Sequence, residues 1–438
     1  MTASEQLAQF AAGSKALPKL CREYKKERAT VHLKELVGGA LSFYAAAAVA
    51  KTGGVHIFVA EDRDAAAYLL NDFYNLLDEK QVYFFPSSYK RSAAYGAEDA
   101  QGVVQRTTAM NAVRGFTKGY LVVCTYPEAL AERVVDAATL QRDTIAVKLG
   151  DKISIAVLED ALADANFTRV DFVYEPGQYS VRGGIVDVFS YSESKPYRID
   201  FFGDEVDSIR RFNISSQLSA DKLDRVEIVP NLNAGEAPRV SFVQFAGSSA
   251  TCWFYDADYV LRRVNDLRRK VLADMEEPGQ IDRLLTSRNV LLRDMAGNSV
   301  VALRDNLPER PATAAVVFDT APQPKFNKNF EMLADDMIRN SLRGYATYIL
   351  SENKVQVERL ENIFHQIGRG QAAVRSLSVT LHEGFVDNDL KLCLYTDHQI
   401  FDRYQRYRIN GEIRRDEQMT VAEPVSYTHL RAHETCAD

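Results

Sequence analysis

The chain of 438 residues has a net charge of −7 at neutral pH, which argues against a general nucleic-acid-binding surface. Apolar residues make up 46% and charged residues 26%, as in an ordinary soluble globular protein with room for about three domains. The five cysteines are scattered without a CxxC pair, and no basic-then-apolar signal segment opens the chain. We therefore expect a cytoplasmic protein with no disulfide framework and no metal site.

Residues 1–149 alternate short apolar runs with helical patterns. The strand-like runs cover 55–60, 82–85 and 121–125, and the helical patterns cover 62–77 and 98–113. Buried strands separated by helices are typical of a parallel sheet, so we predict an α/β domain here.

The pattern changes near Gly150 and predicts a small α+β domain over residues 150–238. A helical pattern at 156–166 leads into a β-rich run, Tyr179–Phe189, with the sequence YSVRGGIVDVF. A second run, PYRIDFFGDE at 196–205, ends in a Gly-Asp turn, and a third run follows at 206–212.

Strand alternation divides the second run into two faces. Tyr197, Ile199 and Phe201 point one way, which suits a core. Arg198, Asp200 and Phe202 point the other way, and a phenylalanine on a charged face is suited to docking a partner.

The rest of the chain returns to mixed α/β patterns. Residues 239–322 contain an amphipathic helix at 260–277, with an apolar stripe formed by Leu261, Val264, Leu267, Val271 and Leu272. Residues 323–405 form another small α/β unit, with helices predicted at 330–342 and 352–367. Ser351 is the predicted N-cap of the second helix, and strands are predicted at 345–350, 377–381 and 390–395. The last residues, 426–438, contain SYTHLRAHET, which looks like a translated sequencing-adapter tail and is left out of the fold prediction.

The phrase VRGGIVDVF followed by PYRIDFFGDEVDSIR resembles the UvrA-binding domain shared by UvrB and the bacterial transcription-repair coupling factors (Mfd). The resemblance implies a UvrB-like, helicase-like α/β domain whose halves, 1–149 and 239–322, flank the inserted domain. It also implies that 406–425 is a linker toward a polymerase-interacting domain that this chain does not include.

A motor domain of that kind needs the phosphate-binding sequence GxxxxGK[ST], and this chain departs from it. In VHLKELVGGALS (31–42), alignment on Ser42 places Glu35 and Ala40 at the two glycines and Leu41 at the lysine. A carboxylate repels phosphate, and leucine removes the compensating charge. We predict a degenerate phosphate loop and no cofactor, which favours the coupling factors over UvrB. The short loop around Tyr89 and Tyr95, with Lys90 and Arg91, also lacks the tyrosine-rich DNA-gripping hairpin of UvrB.

Carried over residue by residue, the resemblance implies that UvrA contacts Arg182, Arg198 and Phe202. Arginine forks and aromatic side chains are the usual anchors of protein interfaces. Structural roles are the alternative for each residue. Arg182 is then a turn residue beside Gly183, Arg198 forms an exposed ion pair with Asp200 or Asp204, and Phe202 enters the core through a bulge.

These observations support three hypotheses about function. In the first, the chain is a fragment of a coupling factor that recruits UvrA without catalysis. The resemblance assigns ATP, Mg²⁺, RNA polymerase and double-stranded DNA to the full-length, ATP-dependent DNA translocase. In the second, the chain is a divergent UvrB-like, ATP-dependent protein that binds damaged DNA. In the third, it is a scaffold that kept only the fold.

Overall fold

The computed structural model describes residues 2–89, 99–233, 237–275 and 277–403. Within these ranges the strands are β1 Thr30–Lys34, β2 Gly54–Val59, β3 Val82–Phe84, β4 Tyr120–Thr125, β5 Val134–Val135, β6 Ile145–Lys148, β7 Thr168–Arg169, β8 Gln178–Arg182, β9 Ile185–Val188, β10 Tyr197–Phe202, β11 Glu205–Phe212, β12 Ser219–Leu223, β13 Arg225–Ile228, β14 Arg239–Val240, β15 Thr251–Phe254, β16 Ser299–Ala302, β17 Ala314–Val317, β18 Thr320–Pro322, β19 Ala346–Leu350, β20 Ser376–Leu377, β21 Phe385–Asp387 and β22 Leu392–Thr396. The helices there are α1 Ala3–Ala12, α2 Ala16–Tyr24, α3 Ala40–Thr52, α4 Arg63–Leu76, α5 Ala100–Gly115, α6 Pro127–Ala131, α7 Ala137–Asp143, α8 Ile155–Asp164, α9 Phe242–Ala246, α10 Ala257–Asp274, α11 Ile281–Leu284, α12 Arg288–Asp294, α13 Phe330–Leu342, α14 Lys354–Gln366 and α15 Asp397–Ile400.

Seven of the described strands form a parallel sheet in the order β17-β1-β16-β15-β2-β4-β3. Strand β1 pairs with both β16 and β17, and β15 pairs with β2. Strands that precede the inserted domain therefore interleave with strands that follow it, and both segments build one sheet. The predicted α/β fold class with a parallel sheet is confirmed.

Helices cover this sheet because its strands are apolar on both faces. In β2 every residue from Val55 to Val59 is buried, as expected for a central parallel strand. Asp62 starts α4 by accepting a hydrogen bond from the Ala65 amide at 2.8 Å. The helix ends at Leu76, close to the predicted limit.

The first and last strands of the inserted domain, β6 and β13, pair in a short antiparallel ladder. The chain enters and leaves the insert through these neighbouring strands, so the insert can fold against its own core without interrupting the large sheet. Six described strands form its sheet, in the order β12-β11-β10-β9-β8-β7. Leu158 and Leu162 of α8 pack on one face of that sheet.

The β-rich run Tyr179–Phe189 is a hairpin rather than one strand. It divides into β8 and β9 at Gly183 and Gly184, and Gly183 has a positive φ of 59°. Glycine adopts that backbone conformation without the steric cost of a Cβ atom, so the turn is possible at this point.

The region from Thr320 to Thr396 contains a mixed sheet ordered β18-β21-β22-β19-β20. It packs on the large domain, where the rings of Phe43 and Phe385 lie 5.3 Å apart and the Tyr44 hydroxyl donates to Asp387 at 2.5 Å. Burial disfavours the phenolate and raises the pKa of Tyr44 well above its usual value, and the hydrogen bond to Asp387 adds to this rise.

Three details of the predicted elements are wrong. Asn353, not Ser351, caps α14, because Ser351 instead donates to Asp397 at 2.7 Å. The strand predicted at 377–381 is the short β20, which includes only Leu377 of that range. Leu272 is 39% exposed, although the other four residues of its predicted stripe are buried.

Two predicted segments, the linker at 406–425 and the tail at 426–438, lie outside the described residues. Among the described helices, none is both long enough and apolar enough to cross a membrane. Within the same ranges, no three His, Cys, Asp or Glu side chains are grouped so as to hold a metal ion.

Candidate functional site

The predicted contact residues lie on one face of the sheet of the inserted domain. Ser180 of β8, Asp187 of β9 and Arg198 of β10 are direct cross-strand neighbours. Arg182 follows Ser180 by two residues, and Phe202 follows Arg198 by four, so strand alternation puts them on the same side. We call this side, defined by Ser180, Arg182, Asp187, Arg198 and Phe202, the open face.

The opposite face of the sheet forms the core of the domain, as the alternation predicted. Tyr197 and Ile199 are buried in that core, and Phe201 packs against it. A bulge does occur opposite this strand, where Asp200 pairs with Ser208 and Phe201 pairs with Val206. The extra residue lies in β11, so alternation along β10 continues unbroken.

Phe202 is 84% exposed at the end of β10, so its alternative assignment to the core is wrong. Gly203 follows it with a positive φ of 64°, which lets the hairpin turn tightly into β11. The aromatic ring therefore projects from the tip of a two-stranded hairpin, where a partner can cover it.

Arg182 and Arg198 both bind the carboxylate of Asp187, which is 1% exposed. Arg198 grips it with two hydrogen bonds, from Nε to Oδ1 at 2.7 Å and from Nη2 to Oδ2 at 2.8 Å. Arg182 donates from Nη2 to Oδ2 at 2.5 Å. The hydrogen bonds to Asp187 raise the pKa of Arg198 above its usual value. The alternative pairing of Arg198 with Asp200 or Asp204 is wrong, since the ion pair of Arg198 is with Asp187, and Asp200 pairs with Arg210.

Each of these arginines also stacks on a phenylalanine. The Arg182 guanidinium carbon lies 4.7 Å from the ring centre of Phe172, and that of Arg198 lies 4.4 Å from the ring centre of Phe212. Phe212 belongs to a small buried apolar cluster with Val173 and Phe189. Ring and carboxylate together fix the plane of each guanidinium.

The two arginines differ in how much they offer to a partner. The Arg198 side chain is 15% exposed, and it also donates to the Gln217 carbonyl and side-chain oxygens, both at 3.3 Å. The Arg182 side chain is 38% exposed, and within the described residues it donates only to Asp187. Of the predicted contacts, Arg182 and Phe202 are therefore accessible to a partner. Most donors of Arg198 are used within the domain, by Asp187 and Gln217.

The sequence interpretation missed Asp187, Phe172 and Phe212. Asp187 is a single carboxylate between two buried valines of β9, and that pattern alone is a weak signal. Its importance follows from the strand register, which places it directly opposite Arg198.

The predicted degenerate phosphate loop, within residues 35–42, lies between β1 and α3, at the carboxyl end of the parallel sheet. Glu35 has a positive φ of 56° at the end of β1, and Ala40 is the first residue of α3. A Cβ atom added at Gly39 would lie 2.1 Å from the backbone oxygen of Glu383. The loop that contains Glu383 therefore packs directly against the two glycines.

The hydroxyl group that a phosphate loop uses for magnesium is engaged with protein here. Ser42 lies 2.6 Å from a carboxyl oxygen of Asp72, whose other oxygen accepts from the His382 amide at 2.6 Å. Burial raises the pKa of Asp72 to about 7, and the charge of Glu383 adds to this effect. The serine is buried, and it also donates to the Gly39 carbonyl at 3.0 Å.

A cavity of about 300 Å³ adjoins this loop. Its acidic lining residues are Glu61, Asp72 and Glu383, and no lysine or arginine is among the described residues that line it. Leu41 lines the cavity at the position where the motif has its lysine. The electrostatics of the cavity are therefore unfavourable for a polyphosphate.

The predicted DNA-facing loop is only partly described, because Lys90, Arg91 and Tyr95 lie outside the described residues. At its base, the buried carboxylate of Glu132 accepts from the Ser88 amide at 3.0 Å and hydroxyl at 2.7 Å.

Comparison with known proteins supports the assignment of the inserted domain. Residues 145–233 match the UvrB interaction domain, a range that begins with β6 and ends just after β13. The sequence interpretation placed this domain at 150–238.

The chain is similar to proteins named transcription-repair-coupling factor. It is 27% identical over 199 residues to those of Bacillus subtilis (strain 168) and Escherichia coli (strain K12). It is 35% identical over 101 residues to that of Haemophilus influenzae. The first two matches cover 45% of this chain but only 17% of each relative. Residues 145–233 therefore match the UvrB interaction domain, in a chain that is similar to the N-terminal region of the transcription-repair-coupling factors.

Proposed function

We propose that this chain recruits UvrA through the open face of its UvrB interaction domain. The observation that supports this most directly is the 84% exposure of Phe202 on the same face as two ordered arginines. An exposed aromatic ring beside arginine donors has the composition of a protein-interface anchor.

The chemistry of the open face fits a protein partner. Phe202 supplies apolar area, and Arg182 supplies charged donors at its side. Aromatic and arginine side chains carry most of the binding energy in protein interfaces, usually from a few central positions. The acidic net charge of −7 makes a protein surface a better partner for this chain than DNA.

We also propose that the chain neither hydrolyses ATP nor needs a cofactor. This proposal is supported by Glu35, Ala40 and Leu41 at the motif positions, and by the acidic cavity beside them. The packing of Glu383 against Gly39 supports it further, because it takes space that a phosphate-binding loop needs.

The remaining activities of the coupling factors are proposals from similarity alone. In a full-length protein of that kind, ATP-dependent translocation and contacts with RNA polymerase and double-stranded DNA would belong to regions beyond this chain. The matched segment covers only 17% of each of the first two relatives, so those proteins are several times longer than the segment.

The test is binding of the whole chain to purified UvrA from the same organism, without nucleotide, measured by calorimetry or biolayer interferometry. We expect binding that Phe202→Ala weakens strongly and that Val157→Ala leaves unchanged. Val157 is 59% exposed on α8, which packs on the core face of the same domain. Absence of binding by the folded wild-type chain would contradict the proposal.

The UvrB-like alternative is tested separately with a fluorescent ATP analogue and a damaged DNA duplex. Saturable binding of the analogue, or tight nucleotide-dependent binding of the duplex, would favour that alternative over UvrA recruitment by a non-catalytic module.

A further inference from the structure

Asp187 is the point where the two arginines of the open face meet. Its carboxylate is 1% exposed and accepts from Arg182 at 2.5 Å and from Arg198 at 2.7 and 2.8 Å. Its neighbours in β9, Val186 and Val188, are buried in the core on the other face. The backbone around the carboxylate is therefore held rigidly by packing.

We propose that Asp187 is a positioning residue for partner binding, assisted by Phe172. Asp187 holds the guanidinium of Arg182 in place before the partner arrives, and it does so without touching the partner. This inference rests on the proposed function, since it concerns the same open face.

The electrostatic argument starts from the two like charges. Arg182 and Arg198 share one carboxylate, and without it their guanidinium groups would repel each other. Long arginine side chains also lose rotamer freedom when a partner fixes them, and this loss lowers affinity. A carboxylate that has already ordered both side chains removes part of that loss.

The Phe172 ring restricts the Arg182 guanidinium perpendicular to its plane, whereas Asp187 restricts it within the plane. Asp187 contacts the edge of the guanidinium, and the Phe172 ring lies against its face at 4.7 Å. A guanidinium has five N–H donors, and within the described residues Arg182 uses them only toward Asp187. The remaining donors are available to an acidic or carbonyl group of the partner.

The decisive variant is Asp187→Asn, which removes the charge at nearly constant shape. Glu159→Gln is the matched control, because Glu159 lies on α8, at the core face, and pairs with Arg169. In the described residues it makes no hydrogen bond to Arg182 or Arg198. We expect Asp187→Asn to weaken UvrA binding about tenfold or more, and Glu159→Gln to change it less than about threefold.

A double-mutant cycle separates positioning from a general structural effect. Asp187→Asn is measured again in a chain that carries Arg182→Gln and Arg198→Gln. If Asp187 acts through the arginines, it has little further effect on affinity there. An equal loss in both backgrounds would overturn the proposal.

Phe172→Leu provides a second measurement if Asp187→Asn does not fold. Phe172 is 46% exposed, so its replacement is compatible with folding. We expect a loss of affinity that disappears in the Arg182→Gln background. If it persists there, Phe172 contacts the partner directly and its positioning role is overturned.

The outcomes also distinguish this inference from the proposed function. If the wild type binds UvrA and Phe202→Ala does not, but Asp187→Asn binds within threefold of wild type, only the inference fails. If the wild type does not bind, the proposed function fails and the inference fails with it.

Discussion

The hydroxyl group of Ser42 lies 2.6 Å from the buried carboxyl group of Asp72. This contact ties the loop after β1 to α4, and the second carboxyl oxygen of Asp72 accepts from the amide of His382, which lies in the region Thr320 to Thr396. When Asp72 is protonated, the hydrogen bonds that link Gly39, Ser42, Asp72 and His382 can all form together. It can donate to Ser42, which donates to Gly39, while its second oxygen accepts from His382. The serine that would hold magnesium in a working loop is part of a domain contact here.

The first prediction concerns the pH dependence of this contact. Burial raises the pKa of Asp72 from 3.8 to about 7, so the folded protein binds this proton more tightly than the unfolded chain does. The resulting stabilisation is complete below the unfolded pKa and is lost as the pH rises through about 7. Asp72→Asn mimics the protonated form, so its stability relative to wild type should increase between pH 5 and pH 8.

The measurement is urea denaturation followed by the fluorescence of Trp253, the single tryptophan of the chain, which lines the same cavity. An equal difference between wild type and Asp72→Asn at both pH values would contradict the prediction.

The second prediction tests the close approach of the Glu383 backbone to Gly39. Gly39→Ala would place a Cβ atom 2.1 Å from the Glu383 oxygen, so backbone atoms must separate. We expect faster hydrogen exchange in residues 381–387. Gly115→Ala is the control, because nothing lies within 4 Å of its added Cβ. Unchanged protection of residues 381–387 in Gly39→Ala would show that the contact is not maintained in solution.

The third prediction is that restoring the motif does not restore nucleotide binding. A chain with Glu35→Gly, Ala40→Gly and Leu41→Lys has the motif residues, yet Asp72 and Glu383 still face the loop. We expect no saturable binding of a fluorescent ATP analogue at millimolar concentrations, measured by anisotropy. Saturable binding by this variant alone would mean that the motif residues were the only obstacle.

The fourth prediction concerns the different roles of Arg198 and Arg182 in the stability of the inserted domain. Removal of Arg198 takes two hydrogen bonds from buried Asp187, which should destabilise the inserted domain by about 1–3 kcal/mol. Arg182→Ala removes one hydrogen bond at a more exposed position and should cost less. Hydrogen exchange of the β9 amides reports this domain separately from the rest of the chain. Equal protection in the two variants would refute the difference in roles.

The fifth prediction gives the size of the Phe202 effect. Because the ring is 84% exposed, Phe202→Ala should leave the stability of the domain unchanged. Loss of a central interface anchor costs ~2 kcal/mol, or about thirtyfold in UvrA affinity. If Phe202→Ala lowers UvrA affinity less than about threefold, while Val157→Ala leaves it unchanged, Phe202 is not an anchor of the interface.

Local sequence patterns predicted the main elements because those patterns follow directly from backbone geometry. The strand alternation from Tyr197 to Phe202 predicted which side chains are buried, since the period of two holds wherever one face packs on a core. The error at Ser351 has a local cause: the polar residues Ser351 and Asn353 both suit an N-cap, and tertiary contact with Asp397 decides between them.

The sequence by itself determined the α/β class, the strand faces of the inserted domain and which residues, Glu35, Ala40 and Leu41, stand at the positions of the phosphate-binding motif. Each of these depends on residue type and spacing within a short segment. Only the tertiary structure decided that Asp187 binds Arg182 and Arg198, and that Asp72 joins Ser42 to His382. The first contact depends on strand register, and the second joins residues 310 positions apart in the chain. Neither relationship leaves a periodic signal, because both arise from the packing of segments that are separate in sequence.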